Sequence, residues 1–311
     1  MSSAKKQIEK LKKNVEKLEK QIECLEWKRA HLEDIREQGL LFLRTINREI
    51  EEARKLISKQ NRELKRLNLD LKREKNKSDN LLLNILPKEI AENLKQTGKV
   101  IPKMYDSVSV LFTDFSGFTG LAHTMSPEEL LKELDCCFSA FDKICGKYHL
   151  EKLKTIGDSY MCAGGIPVPN KTHPVDTILA GLEMVEFMKI RHDQKNKSKT
   201  PYWDIRIGIH SGNLIAGIIG RKKFAYDIWG DTVNTASRME SGGVLNQVNI
   251  SKETNDLVSK IFRTKYRGKV EVKNKEKLEM YIVTGFKPGL KNKKNQPNSQ
   301  FWKEYNRINL K

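Results

Sequence analysis

The sequence predicts an α+β domain over residues 104–286, preceded by one long coiled-coil helix. Three observations point there. A heptad repeat runs in one register through the first 85 residues, strand-like and helix-like runs alternate beyond residue 104, and hairpin spacing at 150–164 joins two short strands. Long helices between few strands are the pattern of an α+β sandwich.

Residues 1–86 are the coiled-coil segment. Ile8, Val15, Ile22, Leu43, Ile50, Ile57, Leu64 and Leu71 fill position a, while Leu11, Leu18, Leu25, Leu32, Ile46, Leu67 and Leu81 fill position d. A strict 3.5-residue repeat of this length requires a partner helix in a left-handed supercoil, and a second parallel copy is the simplest partner. Arg29, Arg36 and Gly39 interrupt the seam, and Gln60, Glu74 and Ser78 weaken it further on. A continuous rod and a helix folded back at Gly39 compete; one helical glycine costs only about 1 kcal/mol, which favours the rod.

Residues 87–103 form a junction. Pro87 cannot donate to the helix ladder and ends the rod; a short amphipathic helix follows, stopped by Gly98 and Pro102. Within 104–286, strands are expected at 107–113, 150–156, 159–164, 203–209, 214–219 and 279–284, and helices at 126–147, 174–192, 231–240 and 252–261. Ser126, Pro127, Glu128 and Glu129 supply an N-cap, a first-turn proline and early acids. Residues 192–202 read as a polar loop, and 287–311 as a basic tail whose final SQFWKEYNRINLK is able to dock as a short helix, with Phe301, Trp302 and Tyr305 serving packing.

The formal charge of +18 is unevenly placed, with Lys and Arg outnumbering Asp and Glu by 25 to 17 in residues 1–100 and by 7 to 1 in 287–311. A solvated charged helix accounts for that excess, so nucleic acid is not expected as a partner. The five cysteines lack metal-ligand spacing and suggest no disulfide framework, which fits a reducing cytoplasm. No run approaches the roughly 18–20 apolar residues of a membrane span, and no signal peptide is visible.

Two apolar runs, 107–119 (SVSVLFTDFSGFT) and 150–161 (LEKLKTIGDSYM), each end on an aspartate, Asp114 and Asp158. Carboxylates at neighbouring strand ends make an oxygen site suited to Mg²⁺ or Mn²⁺. Ser116, Gly117, Phe118 and Thr119 follow the first aspartate, and their small residues let backbone N–H groups approach a phosphate. With 206–220 (RIGIHSGNLIAGIIG) and 224–241 (FAYDIWGDTVNTASRMES), these segments resemble the class III nucleotidyl cyclases in order and spacing over residues 104–286.

The resemblance implies a ferredoxin-like catalytic core that joins the ribose 3′-oxygen of a nucleoside triphosphate to its α-phosphorus and expels pyrophosphate. It implies two Mg²⁺ or Mn²⁺ ions per active site, held by Asp114, Asp158 and the Phe115 carbonyl, where the family usually carries an aliphatic residue. Asn234 would orient the ribose and Arg238 stabilise charge on the pentavalent phosphorus; they lie four apart, on one helix face. Lys273 aligns with a phosphate-binding lysine, although both glycines of that loop are absent, and Arg221, Lys222 and Lys223 offer another basic cluster.

Base choice rests on Lys154 and Asp227, which fall where adenylyl cyclases carry lysine and aspartate. An ammonium donates to adenine N1 and a carboxylate accepts from its amino group, whereas guanine presents the opposite pattern. The expectation is therefore an adenylyl cyclase acting on ATP. A guanylyl or mixed-specificity cyclase is the alternative, and an inactive nucleotide-binding scaffold is the alternative from another class. The family builds its site between two subunits, so a homodimer through both rod and catalytic domains is expected. The rod also offers a surface to a regulatory protein that the sequence does not identify.

Overall fold

The computed structural model describes residues 2–198, 202–220, 224–272, 275–293 and 296–309. The chain divides into two units, 1–79 and 80–311. The first is nearly all of helix α1 (Ser2–Leu83), which runs through Gly39 without a break. Its a and d side chains, Ile8, Leu11, Val15 and Leu18 among them, lie exposed on the single chain. Among the described residues no helix is long and apolar enough to cross a membrane.

The second unit opens with α2 (Lys88–Thr97), which starts after Pro87 and stops at Gly98 in the left-handed region. An eight-stranded sheet follows in the order β2-β3-β1-β4-β6-β8-β7, with β5 paired to β4. Its strands are β1 (Lys103–Ser116), β2 (Leu150–Ile156), β3 (Ser159–Gly164), β4 (Asp204–Ile219), β5 (Ala225–Trp229), β6 (Val248–Ser251), β7 (Phe262–Val272) and β8 (Lys275–Phe286). The helices are α3 (Phe118–Ala122), α4 (Pro127–Lys147), α5 (His173–Ser198), α6 (Asp231–Ser241), α7 (Lys252–Val258) and α8 (Ser299–Asn309).

Period-two alternation divides the central strands between two cores. Leu111 and Phe115 of β1, with Ile205, Ile207 and Ile209 of β4, join Phe141 of α4 and Ile178 of α5 in one. Val110 and Phe112 join Leu86, Ala91, Tyr226, Ile228 and Ala236 in the other, under α2 and α6. The start of α4 is a capping box: the Glu129 N–H donates to the Ser126 side chain while the Ser126 N–H donates to Glu129.

Several expectations need correction. The strands expected at 203–209 and 214–219 are one, because β1 pairs with β4 from Lys103 to Ser116 across a bulge between Tyr105 and Val108. Strands β5, β6 and β7 and helix α3 were not expected from sequence. Strand β6 has only four residues, and β7 is an edge strand whose Arg263, Lys265 and Lys269 obscure its alternation. Such charges are normal at an edge, where they discourage pairing with other chains. Helix α5 runs on to Ser198 through much of the expected loop, and α7 ends at Val258 rather than 261. The short helix expected at the end of the basic tail, by contrast, is present as α8, with Phe301 fully buried against Phe286 and the Tyr305 hydroxyl donating to Asp176 at 2.7 Å.

Glu151 on β2 is pushed up to about 7, by burial first and then by the charge of Glu89 on α2. An unfolded glutamate titrates near about 4.3, so the folded state holds the extra proton between those values. Its contribution to stability is fully present below about pH 4.3 and is lost as the pH rises toward 7. Glu151→Gln should therefore raise the melting temperature at pH 8 by roughly 2–5 °C, with the gain vanishing near pH 4. A gain of equal size at both pH values would contradict this account.

Candidate active site

Asp114 lies on β1 directly opposite Arg206 on β4. The parity that sends Ile205 and Ile207 to one core turns Arg206 and Gly208 to the face carrying α6. Arg206 Nη2 donates to Asp114 Oδ2 at 2.5 Å, and its Nε donates to Glu240 Oε1 of α6 at 3.1 Å. The guanidinium is held charged: burial opposes its charge, but Asp114 and Glu240 together outweigh that penalty.

Asp158 reaches the same place from the β2–β3 hairpin. Ile156 pairs with Ser159, leaving Gly157 and Asp158 as a two-residue turn, and Gly157 supplies the positive φ of 63°. A hairpin turn of this length needs such a residue. The Asp158 carboxyl is raised from the usual range by burial and by the Asp114 charge, partly opposed by its own N–H and that of Phe115. Phe115 is fully buried against Trp203, Phe138 and Phe141. Its side chain is core, which accommodates the departure from an aliphatic residue. Ser116 is half-buried, Gly117 takes φ 74° before α3, Phe118 packs on Trp203, and Thr119 is exposed.

A carboxylate pair in which the Asp114 charge raises Asp158 fits a divalent cation, which would relieve the repulsion. Among the described residues no group of three or more His, Cys, Asp or Glu side chains is arranged for a metal. A pair of carboxylates leaves coordination positions for phosphate oxygens, the usual arrangement for a metal that arrives with a nucleotide.

Lys154 and Asp227 form a second group. They are ion-paired to one another, Lys154 beside a bulge between Lys152 and Lys154 in β2, Asp227 on β5. Among the described residues no hydrogen bond or ion pair joins this pair to the Asp114 group. Along β4, Asp114 sits opposite Arg206 and Asp227 opposite Gly217, while Lys154 on β2 lies opposite Met161, four residues before Asp158.

Asn234 lies exposed and Arg238 half-buried on α6, whose Thr232, Thr235, Ala236 and Met239 face the sheet. Lys273 and the cluster Arg221, Lys222 and Lys223 lie outside the described residues. Sequence reasoning did not single out Arg206 or Glu240. The available signals were the alternation around Arg206 and a carboxylate next to Met239 on the packed side of a short helix.

Gly208 fixes α6 over this group, because a Cβ there would overlap the Glu240 backbone nitrogen. Gly208→Ala should cost more than about 3 kcal/mol in a denaturant melt, beyond the usual overpacking range. Near-neutral stability would show that α6 can shift freely.

A family model described as adenylate and guanylate cyclase catalytic domain matches residues 100–285. A second, described as heme NO binding associated, matches residues 36–94. An adenylate cyclase of Mycobacterium tuberculosis is 37% identical over 215 residues, covering 69% of this chain and 48% of the relative. Atrial natriuretic peptide receptor 2 of Homo sapiens is 37% identical over 222 residues, covering 70% of this chain and 21% of the receptor. The chain thus spans half or less of the length of these curated relatives. The solved catalytic core of a rhodopsin-guanylyl cyclase with converted specificity, in complex with ATPαS, is 33% identical with a TM-score of 0.54, covering 59% of this chain and 97% of that one.

Proposed function

The chain belongs to the adenylate and guanylate cyclase catalytic-domain family, and we propose that it is an adenylyl cyclase that closes ATP into cyclic AMP as a homodimer. One observation supports this reading: Lys154 of β2 and Asp227 of β5 meet in an ion pair that forms a group of its own, apart from the Asp114–Arg206–Glu240 group. One chain thus holds two half-sites that a second copy, set head to tail, would complete twice over.

In that assembly Lys154 donates to adenine N1 and Asp227 accepts from the adenine amino group. Asn234 holds the ribose so that its 3′-oxygen faces the α-phosphorus in line with the leaving pyrophosphate. Asp114, Asp158 and the Phe115 carbonyl would hold Mg²⁺ or Mn²⁺, which supplies Lewis acidity at the attacking and leaving oxygens. The O3′–P bond forms as the bond to pyrophosphate breaks, and the 3′-hydroxyl proton passes to solvent water. Arg238 neutralises the charge that builds on phosphorus, a role suited to a planar group that stays ionised. Ser116 to Thr119 lie beside the metal carboxylates, where their backbone can approach the triphosphate. Lys273 is assigned to phosphate by alignment alone.

The relatives include both adenylyl and guanylyl cyclases, so base choice rests on the chemistry of Lys154 and Asp227. A cytoplasmic setting accords with the five free cysteines. The similarity of residues 36–94 to a heme-NO-binding-associated segment supports a signalling role for the rod and junction, with a regulatory protein acting on the rod.

The full chain, assayed with ATP and GTP in parallel and with each metal, should form cyclic AMP in preference to cyclic GMP by at least about tenfold. Asp158→Ala should reduce the rate by more than about a hundredfold. Preferential cyclic GMP would reassign the substrate, and absence of any cyclic product from the wild-type chain would leave the scaffold reading. The rod raises the local concentration of one catalytic domain near another. A chain beginning at residue 80 should therefore lose activity steeply on dilution, while equal dilution curves would remove the rod from the mechanism.

A further inference from the structure

Glu240 is a buried carboxylate with no role in the reaction above. Its side chain is 11% exposed and ion-pairs with Arg206 at 3.1 Å, while Arg206 also grips Asp114 at 2.5 Å. The guanidinium therefore sits on an oxygen that a divalent cation would need. We propose that Glu240 is a positioning residue for metal loading: it retains Arg206 when Asp114 exchanges the guanidinium for metal. This inference rests on the assignment of Asp114 and Asp158 as metal carboxylates.

A half-buried cation is stable only while a carboxylate partner stays beside it. Arg206 is 31% exposed in its side chain, and separating such a group from its only carboxylate leaves a charge without its buried partner, a costly state. With Glu240 in place, Arg206 has a second anchor and Asp114 can be released without that penalty. Helix α6 packs directly on β4 at this point, its Met239–Glu240 backbone lying against Gly208. The two arginine contacts thus come from elements of fixed spacing: one from the β1–β4 register, the other from the end of α6. Released from Asp114, the planar guanidinium also keeps free donors for an anion brought in with the metal. Helix α6 carries Asn234 and Arg238 as well, so the same element anchors residues of both proposed half-sites.

A bulk charge effect could also make Glu240 favour metal, and a double-mutant cycle separates the two. Mn²⁺ binding to the full chain without nucleotide is measured by the electron paramagnetic resonance signal of free Mn²⁺. Glu240→Gln should weaken binding about tenfold, and Arg206→Gln, which removes the competing cation, should tighten it. In the Arg206→Gln background, adding Glu240→Gln should change the affinity by less than about twofold. Glu240→Asp, which keeps the charge, should recover most of the loss, and circular dichroism melts confirm that each variant is folded. An equal loss from Glu240→Gln in both backgrounds would assign the effect to charge alone and overturn the proposal, as would no loss in either. If the wild-type chain binds no Mn²⁺ either alone or with a non-cyclisable ATP analogue, the metal assignment itself falls and the proposal with it.

Discussion

The antiparallel pairing of β1 with β4 is the constraint on which the rest depends. It runs from Lys103 to Ser116 and fixes Asp114 opposite Arg206. The same register sends alternate residues to two cores and turns Gly208 toward α6. A slip of one residue would exchange the two faces along the whole strand. It would bury Asp114 among the aromatics now around Phe115 and expose Phe115 where the acid belongs. The fully buried Leu111 and Ile207, with Phe112 nearly so, make that exchange prohibitive. The site is thus specified largely by apolar residues that never touch a ligand.

Much of this was legible in the sequence wherever the signal was local. The Ser126–Glu129 capping box, the Gly157–Asp158 turn and the long periodicity of α1 each lie within a few residues and read directly. Strands β5, β6 and β7 did not, because their evidence is tertiary. Strand β6 owes its existence to being flanked by β4 and β8, and the lysines of β7 are tolerated because it lies at an edge. The site divides the same way. Asp114 and Asp158 end recognisable strands, but Arg206 and Glu240 acquire meaning only when residues 92 and 34 positions apart in the chain are brought together. No spacing rule reaches that far.

Both polar groups are satisfied within the single chain. Lys154 is paired with Asp227, and Arg206 is shared between Asp114 and Glu240. These groups are thereby held in place by one another, so little side-chain freedom is left to lose when a ligand arrives. The corresponding cost is that any ligand must replace contacts already made. Affinity then depends on the difference between the two sets of contacts rather than on their sum, which favours partners that reproduce the replaced geometry.

Helix α8 lies beyond residue 285, where the match to the catalytic-domain family ends. Phe301 nonetheless packs into the main core with Phe286 and Leu290, and Tyr305 is tied to Asp176 on α5. Choosing recombinant boundaries from family homology alone would strip away this cover and lay bare an aromatic surface. The resulting fragment would be prone to precipitation for reasons unrelated to its chemistry, so expression work should carry the chain through residue 309.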